Sequence, residues 1–215
     1  MSNQMILPTP LTGGTDFPNS VAIQQPCGRQ GDAYMGLIHG KYYAAAFAQN
    51  VFHGGVTAVA FPQYAANAAS VCSLYNPIAS GKILELLAVD IGVVLATTVV
   101  NTVGLYYEKF ASAPTLTAKA FLNAYIGATT GNAVGVLCSA LTHVAMGATD
   151  ATTARVGVIH TFGATTTTNA GPIHRDFDGQ ILIPPGVAVS ICNSTAASTA
   201  SSATADLVWA EWDLA

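Results

Sequence analysis

The chain has 215 residues and a formal net charge of −4, and only 8% of its residues are Asp, Glu, Lys or Arg, where roughly 25% is usual. Its seven Lys and Arg residues are scattered, and phosphate binding needs clustered positive charge, so composition argues against a nucleic-acid partner. So few charges cannot cover a soluble monomer, which predicts that much of the surface is buried against other subunits; a surface tiled with Thr, Ser and Ala is the alternative.

The hydropathy pattern argues against both a membrane partner and a secretory signal. The longest apolar run, residues 83–107, contains Glu85 and Asp90, which would be costly inside a hydrocarbon core. Two strands and a turn explain this run better. The first eight residues carry no basic region and no long apolar stretch, so we expect synthesis in a cytosol.

Residues 1–32 form a distinct opening segment, with four prolines, a Gly13-Gly14 pair and few periodic apolar residues. Because proline fixes φ and removes a ladder donor, this segment is predicted to be extended or looped. Fully stretched, about 30 residues could span roughly 100 Å. An N-terminal arm that reaches a neighbouring subunit and a frayed terminus both fit this pattern.

Residues 33–215 are predicted to form one β domain. Within residues 34–52, the spacing of Tyr43, Ala46 and Phe47 permits a short helix, and a strand stays open as the alternative. Short β-branched runs then recur between Gly, Pro, Asn and Thr. The predicted strands are 56–61, 71–76, 82–94, 103–110, 115–121, 134–141, 155–162, 181–183, 187–191 and 207–212.

The spacing of these runs predicts an all-β fold, an antiparallel sandwich or barrel, because no helical segments alternate with the strands. Two low-complexity stretches, residues 165–171 and 194–204, are rich in Thr, Ser and Ala and are predicted to be exposed loops. The second stretch separates two strands that we expect to form the final hairpin.

The cysteines are predicted to be free, buried thiols that behave as small hydrophobic residues. None of the four belongs to a Cys-x-x-Cys pair, and the gaps between them are long, unlike the ligand spacing of zinc sites. They are Cys27, Cys72, Cys138 and Cys192.

The carboxylates of Asp176 and Asp178 stand two residues apart before Gly179 and lie on one face if this segment is extended. A calcium site would need more oxygen ligands in the same loop, so a turn that leads into the next strand is favoured. The histidines show no ligand pairing, which favours packed or surface roles over metal binding. They are His39, His53, His143, His160 and His174.

Other motif-like stretches carry no predicted chemistry, and we expect no catalytic residue, no bound cofactor and no metal site. Ser80-Gly81-Lys82 lacks the first glycine of a phosphate-binding loop, and Ile83 replaces the required Ser or Thr. Asn193 begins a glycosylation pattern that is expected to be inert without a secretion signal. In the last strand, Trp209, Glu211 and Asp213 share one face, and both carboxylates are expected to face solvent.

Three segments together resemble a family of uncharacterised virion proteins of tailed bacteriophages and prophages. They are GKYYAAA with QNVF in residues 40–52, LYNPIASGKILELLAV in residues 74–89, and DGQILIPPGVAVSI in residues 178–191, followed by LVWAEW at the C-terminal end. The likeness spans most of residues 40–215. Ile78-Ala79 in the turn and Trp212 after the glutamate depart from the family pattern.

This resemblance implies a jelly-roll-like β-sandwich, trimeric, in a virion assembled from proteins made in the host cytoplasm. The leading hypothesis is a capsid decoration or cement protein that binds copies of itself and the major capsid protein of the phage head. A tail fibre or spike component is the second. A jelly-roll shell subunit ranks lower, because a basic packaging arm is missing: Arg29 is the sole basic residue before Lys41. An enzyme ranks last.

Overall fold

The computed structural model describes residues 42–59, 62, 69–95, 101–143, 155–162, 172–193 and 202–214. The chain divides into two compact units, Met1–Ala48 and Gln49–Ala215. In the first, helix α1 spans Tyr43–Phe47, and the rings of its end residues stack with centroids 5.9 Å apart. The helical alternative is therefore correct for these five residues. The predicted arm, residues 1–32, lies outside the described residues.

The second unit is built from strands. Their bounds are β1 (Val51–Val59), β2 (Ala69–Ser70), β3 (Ser73–Tyr75), β4 (Lys82–Leu95), β5 (Asn101–Lys109), β6 (Thr117–Ala118), β7 (Leu122–Asn123), β8 (Val136–Ser139), β9 (Leu141–Thr142), β10 (Arg155–Phe162), β11 (Ile173–Ile183), β12 (Val187–Asn193) and β13 (Ser202–Asp213).

These strands form two packed antiparallel sheets, which confirms the predicted all-β sandwich. One sheet has the order β11-β4-β13-β1-β7, and the other has the order β10-β5-β12-β3-β8-β6. Strands β2 and β9 form a separate two-stranded ladder. All the described ladders are antiparallel, as expected where short connections join β-branched runs.

The pairing is nested in the manner of a jelly roll. Of the eight strands β1, β3, β4, β5, β10, β11, β12 and β13, the first pairs with the last and the second with the seventh. The third pairs with the sixth, and the fourth with the fifth. A long antiparallel hairpin rolled over itself produces this order, so the jelly-roll architecture expected from the resemblance is present.

The core lies between the two sheets, where alternate side chains of each strand point inward. Trp209 is fully buried and packs against Phe52 and Phe121, with ring centroids 5.9 Å and 5.2 Å away. Leu86 and Ile191, from the two facing sheets, belong to the same buried cluster. Burial of each such side chain stabilises the fold by about 1.5–3 kcal/mol.

Several predicted strand bounds were wrong for identifiable reasons. The segment 115–121 contributes only the two exposed residues of β6, because pairing with β8 is limited to that length. The segment 134–141 is split into β8 and β9 at Ala140, whose φ of 54° leaves the extended region. Strand β1 begins at Val51 rather than at Val56.

Strand β11 begins eight residues before the predicted start and contains the Asp-Gly dipeptide in a bulge. Asp176 pairs with Ala88 but Ile181 pairs with Leu86, so β11 holds three extra residues between two ladder segments. Gly179, with φ of 77°, supplies the left-handed conformation that this bulge requires. The predicted turn before a strand is thus a bulge inside one.

The predicted final hairpin was also wrong. Strand β12 pairs with β3 and β5, whereas β13 pairs with β1 and β4 in the other sheet. A tight hairpin would keep both strands in one sheet, but eight residues separate them and permit a change of sheet. Strand β13 also starts at Ser202, inside the stretch that was predicted to be an exposed loop.

Candidate functional site

Glu211 is a buried carboxylate that faces into the end of the sandwich, contrary to the expected solvent-facing position. It is 1% exposed and lies on β13 beside Trp209, whose Nε1 donates to Oε1 over 3.2 Å. The backbone N–H groups of Val134 and Gly135 donate to its two oxygens at 2.9 Å each. Lys82 Nζ lies 3.5 Å from Oε2. The charge is therefore neutralised and hydrogen-bonded, as a buried charge must be.

These contacts fix the loop of residues 124–135, which leads from β7 in one sheet to β8 in the other. Lys82 Nζ also donates to the Asn132 carbonyl over 2.9 Å. At the other end of the loop, the Asn123 side chain donates to the Gln49 carbonyl and accepts the N–H of Tyr125, each over 2.8 Å. The loop is therefore held at both ends by these hydrogen bonds.

A second buried polar cluster combines Glu108 of β5, His143 and Cys192 of β12. His143 Nδ1 lies 2.7 Å from Glu108 Oε2, and its Nε2 lies 3.9 Å from Cys192 Sγ. With Nδ1 donating to the carboxylate, Nε2 is an acceptor that faces the thiol. Thiol, imidazole and carboxylate thus stand in the order used by nucleophilic cysteines.

Burial argues against nucleophilic chemistry at this cluster. Glu108, His143 and Cys192 are 5%, 1% and 0% exposed. Desolvation, with a smaller contribution from neighbouring Cys72 and Glu108, raises the pKa of the Cys192 thiol above its usual range, so the reactive thiolate is disfavoured. The arrangement is a hydrogen-bonded part of the interior and not an accessible nucleophile.

The cysteine prediction is confirmed for the three described thiols, and Cys27 lies outside the described residues. Cys72, Cys138 and Cys192 are free and fully buried. Desolvation raises the pKa of Cys138 to about 12 and raises that of Cys72, and the neighbouring Cys138 adds to the shift at Cys72. Each thiol therefore packs as a small apolar group.

The surface carries one described cluster of titratable groups, on the outer face of the five-stranded sheet. His174 Nδ1 lies 2.7 Å from Asp90 Oδ1, and its Nε2 lies 3.2 Å from Asp176 Oδ1. The hydrogen bond and charge of Asp90, helped by Asp176, raise the pKa of His174. An imidazole that contacts a different carboxylate through each ring nitrogen suits a protonated histidine, in which both nitrogens are donors, rather than a metal ligand.

The remaining predicted motifs have structural positions. Ser80-Gly81-Lys82 forms the turn into β4, where Gly81 has a φ of 68°. Asn193 is fully buried on β12, so a glycan could not be accommodated there. His53 is exposed on β1, and His39 lies outside the described residues. In the described part of the chain, no group of three His, Cys, Asp or Glu side chains is placed to hold a metal ion.

Sequence reasoning missed both buried carboxylates. Glu211 follows the expected alternation with Trp209, but its backbone donors come from a loop more than seventy residues away. Glu108 lies on β5, whereas His143 directly follows β9, so the two meet only once β9 packs beside the six-stranded sheet. The sequence did offer one signal: each glutamate is surrounded by apolar neighbours, which indicates a buried position rather than a solvent-facing one.

Large apolar side chains are exposed at opposite edges of the five-stranded sheet. Near β7, Leu122 is 64% exposed and Ile126, in the loop 124–135, is 95% exposed. Along β11, Leu182 is 56% exposed and borders an open groove of about 320 Å³. We call this the β11 groove. Its lining includes Tyr107, Gln180, Ile181, Leu182, Pro184 and Val187.

Comparison with protein-family models, curated proteins and solved structures found no match to this chain. Within the described residues, the helix present is too short to span a bilayer.

Proposed function

We propose that this chain is a structural protein of a virion, and that it acts as a trimeric decoration or cement protein on the head of a tailed bacteriophage. One observation carries the proposal: a jelly-roll sandwich has a surface that is poor in charge and rich in exposed large apolar side chains. In the described part of the second unit these are Ile78, Tyr107, Leu122, Tyr125, Ile126, Leu182 and Leu214.

Low charge and exposed apolar groups together favour assembly. A monomer stays soluble through a charged surface, and the fully buried centres of protein interfaces are depleted of charge. Here 8% of residues are charged, and two carboxylates, Glu108 and Glu211, are turned inward. The remaining surface has little to oppose contact with other subunits, and exposed apolar patches mark interaction sites.

The proposed role requires buried contact area rather than a reaction centre. A decoration protein binds the major capsid protein and its own copies, and closed symmetry repeats one interface around an axis. The edge strand β11 is followed directly by Pro184 and Pro185, which cannot donate to a further ladder, so strand pairing at this edge cannot continue past the end of β11.

A jelly-roll shell subunit is the second candidate, and the nested strand order favours it because viral capsid proteins use this architecture. A tail fibre or spike component is favoured by the exposed Ile126 on the loop 124–135, which could contact a host surface. Copy number separates these roles. Quantitative mass spectrometry of purified particles should find on the order of hundreds of copies for a head protein, and about a dozen or fewer for a tail protein.

The decisive measurement on the purified protein is its mass in solution. Light scattering coupled to size exclusion, at micromolar concentration, should give three times the 22.0 kDa chain mass. A chain that stays monomeric across this range would count against the proposed role, because its charge-poor surface would then be stable in water. Binding to particles stripped of the protein, saturating at head sites, would support decoration over shell formation.

A further inference from the structure

We infer that copies of this chain associate head to tail, with Ile126 of one copy inserted into the β11 groove of the next. The inference rests on the proposed function, because it assigns the contact by which a structural subunit binds its own copies. It uses two features that the buried clusters leave unexplained: an apolar side chain that projects into solvent, and an apolar groove open to solvent.

The projecting feature is built to keep its shape. Ile126 is 95% exposed, which is extreme for a branched apolar side chain. The loop that carries it is tied at one end by Asn123 and at the other by Glu211 through backbone hydrogen bonds. Because both ends of the loop are already held, binding through Ile126 orders less of the backbone than binding through a free segment would, so the position suits an interface anchor.

The receiving feature matches it in size and polarity. The β11 groove holds about 320 Å³, enough for an isoleucine side chain together with part of a neighbouring residue. Its walls are mainly apolar, with Ile181, Leu182 and Pro184 on one side and Tyr107 on the other. No charged side chain lines the described groove, so an apolar side chain would enter without stranding an ion.

Sheet geometry places the two features where a single copy cannot join them. Leu182 pairs with Glu85, Glu85 with Ala210, and Ala210 with Val51, whose carbonyl accepts the N–H of Ala124. The loop and the groove therefore lie at opposite ends of one cross-strand row. That row spans four strand intervals, roughly 19 Å. The two features can meet only between copies.

If the copy that receives Ile126 inserts its own Ile126 into a third copy and not back into the first, the interface is heterologous, and it closes into a ring when the rotation between copies allows. Such an interface accounts for the trimer proposed above without strand pairing at the β11 edge. A second copy is also the one occupant that every sample of the protein contains, because each copy carries both Ile126 and the groove. If a partner protein fills the groove instead, Leu182→Asp leaves the mass of the purified oligomer unchanged, which the test below detects.

The test uses charge placed at each half of the contact. Ile126→Asp and Leu182→Asp should each weaken the contact at least roughly 100-fold and convert the oligomer to monomer, because burial of one such side chain is lost and a charge is stranded. Thr129→Asp is the matched control: it adds the same charge to an exposed position of the same loop. This control should keep the wild-type mass in light scattering.

Mixing the two interface variants tests whether Ile126 of one copy contacts the groove of another, and the wild-type mass separates a head-to-tail ring of three from a reciprocal two-fold dimer. A chain with Ile126→Asp keeps its groove, and a chain with Leu182→Asp keeps its projecting side chain. A 1:1 mixture should therefore form a heterodimer with one intact contact and no closed ring, detected by native mass spectrometry. If Leu182→Asp alone retains the wild-type mass, or if the mixture stays monomeric, the inference is overturned.

A cross-link keeps the inference testable if an aspartate variant fails to fold, as judged by circular dichroism. Ile126→Cys with Leu182→Cys, in a Cys27→Ser background, should give ladders of linked chains under mild oxidation, whereas either single variant should not. Absence of linked chains overturns the inference. A monomeric wild type would defeat the proposed function itself, while a wild-type oligomer unaffected by Ile126→Asp would defeat only this contact.

Discussion

Replacement of Glu211 by glutamine tests whether the buried carboxylate holds the loop 124–135 to the sandwich. Glutamine keeps the shape of the side chain but has one acceptor oxygen instead of two. The backbone N–H groups of Val134 and Gly135 approach the two different oxygens most closely. Whichever way the amide is oriented, its NH₂ group must face one of these donors.

The expected cost follows from that mismatch. The N–H group that faces the amide NH₂ loses its closest acceptor, which costs about 1–3 kcal/mol. The N–H of Val134 also lies 3.2 Å from Oε1, so the cost is at the lower end when the amide oxygen takes the Oε1 position. The remaining hydrogen bonds lose their charge assistance, about 1 kcal/mol more. We therefore expect Glu211→Gln to lower the free energy of unfolding by about 2–4 kcal/mol. Lys82 adds little to this figure, because its side chain is 20% exposed and can turn to water. Glu211→Ala should cost about 3–5 kcal/mol.

Urea denaturation followed by tryptophan fluorescence measures this, since Trp209 is buried beside Glu211. All variants are compared at one protein concentration, because association adds to apparent stability. Asp213→Asn is the matched control: it removes a carboxylate from the same strand at an exposed position, and it should change stability by less than about 0.5 kcal/mol. Equal stabilities of Glu211→Gln and Asp213→Asn would refute the reasoning.

The three described thiols should react with an aromatic disulfide reagent only as fast as the protein opens, since burial raises their pKa values. The Cys27→Ser variant restricts the measurement to these three thiols, and rapid modification of the folded variant would contradict this expectation. Gly81→Ala should lower the free energy of unfolding by about 1–2 kcal/mol because of its positive φ. Gly179→Ala should cost about 1 kcal/mol more, because its Cβ would lie 2.7 Å from Glu85 Oε1 and displace the carboxylate that accepts from Trp212 Nε1; equal losses on denaturation would argue against this contact. Asp90→Asn should lower the pKa of His174 in an NMR titration. Because the pKa of His174 is raised in the folded protein, the small stabilisation from this pair is present below the unfolded pKa and is lost as pH rises through the folded pKa. A His174 pKa that is the same in Asp90→Asn as in the wild type would contradict the pairing.

Local pattern predicted most of the long strands. Residues 82–94, 155–162 and 187–191 combine β-branched runs with clear turn residues on either side, and the corresponding strands agree within a few residues. Pattern failed where pairing partners decide the outcome. Nothing in residues 173–180 shows that a bulge can keep them in register with β4, and the sheet to which β13 belongs depends on contacts with β1.

The candidate site was less predictable than the fold for a related reason. The interior position of Glu211 depends on N–H groups supplied by a distant loop, and a sequence window around β13 does not contain them. The β11 groove likewise requires Tyr107 of one sheet to stand beside Leu182 of the other. Low charge could be read directly from composition, because it needs no knowledge of which residues meet.

The placement of the few charges links fold to assembly. A buried carboxylate usually lowers stability relative to an apolar residue of similar volume, so packing alone does not explain Glu108 and Glu211. Each instead satisfies polar partners, an imidazole in one case and loop N–H groups in the other. In the second case the carboxylate holds one end of the loop that carries Ile126. Under the contact proposed above, Glu211 therefore contributes both to the stability of the fold and to the presentation of Ile126.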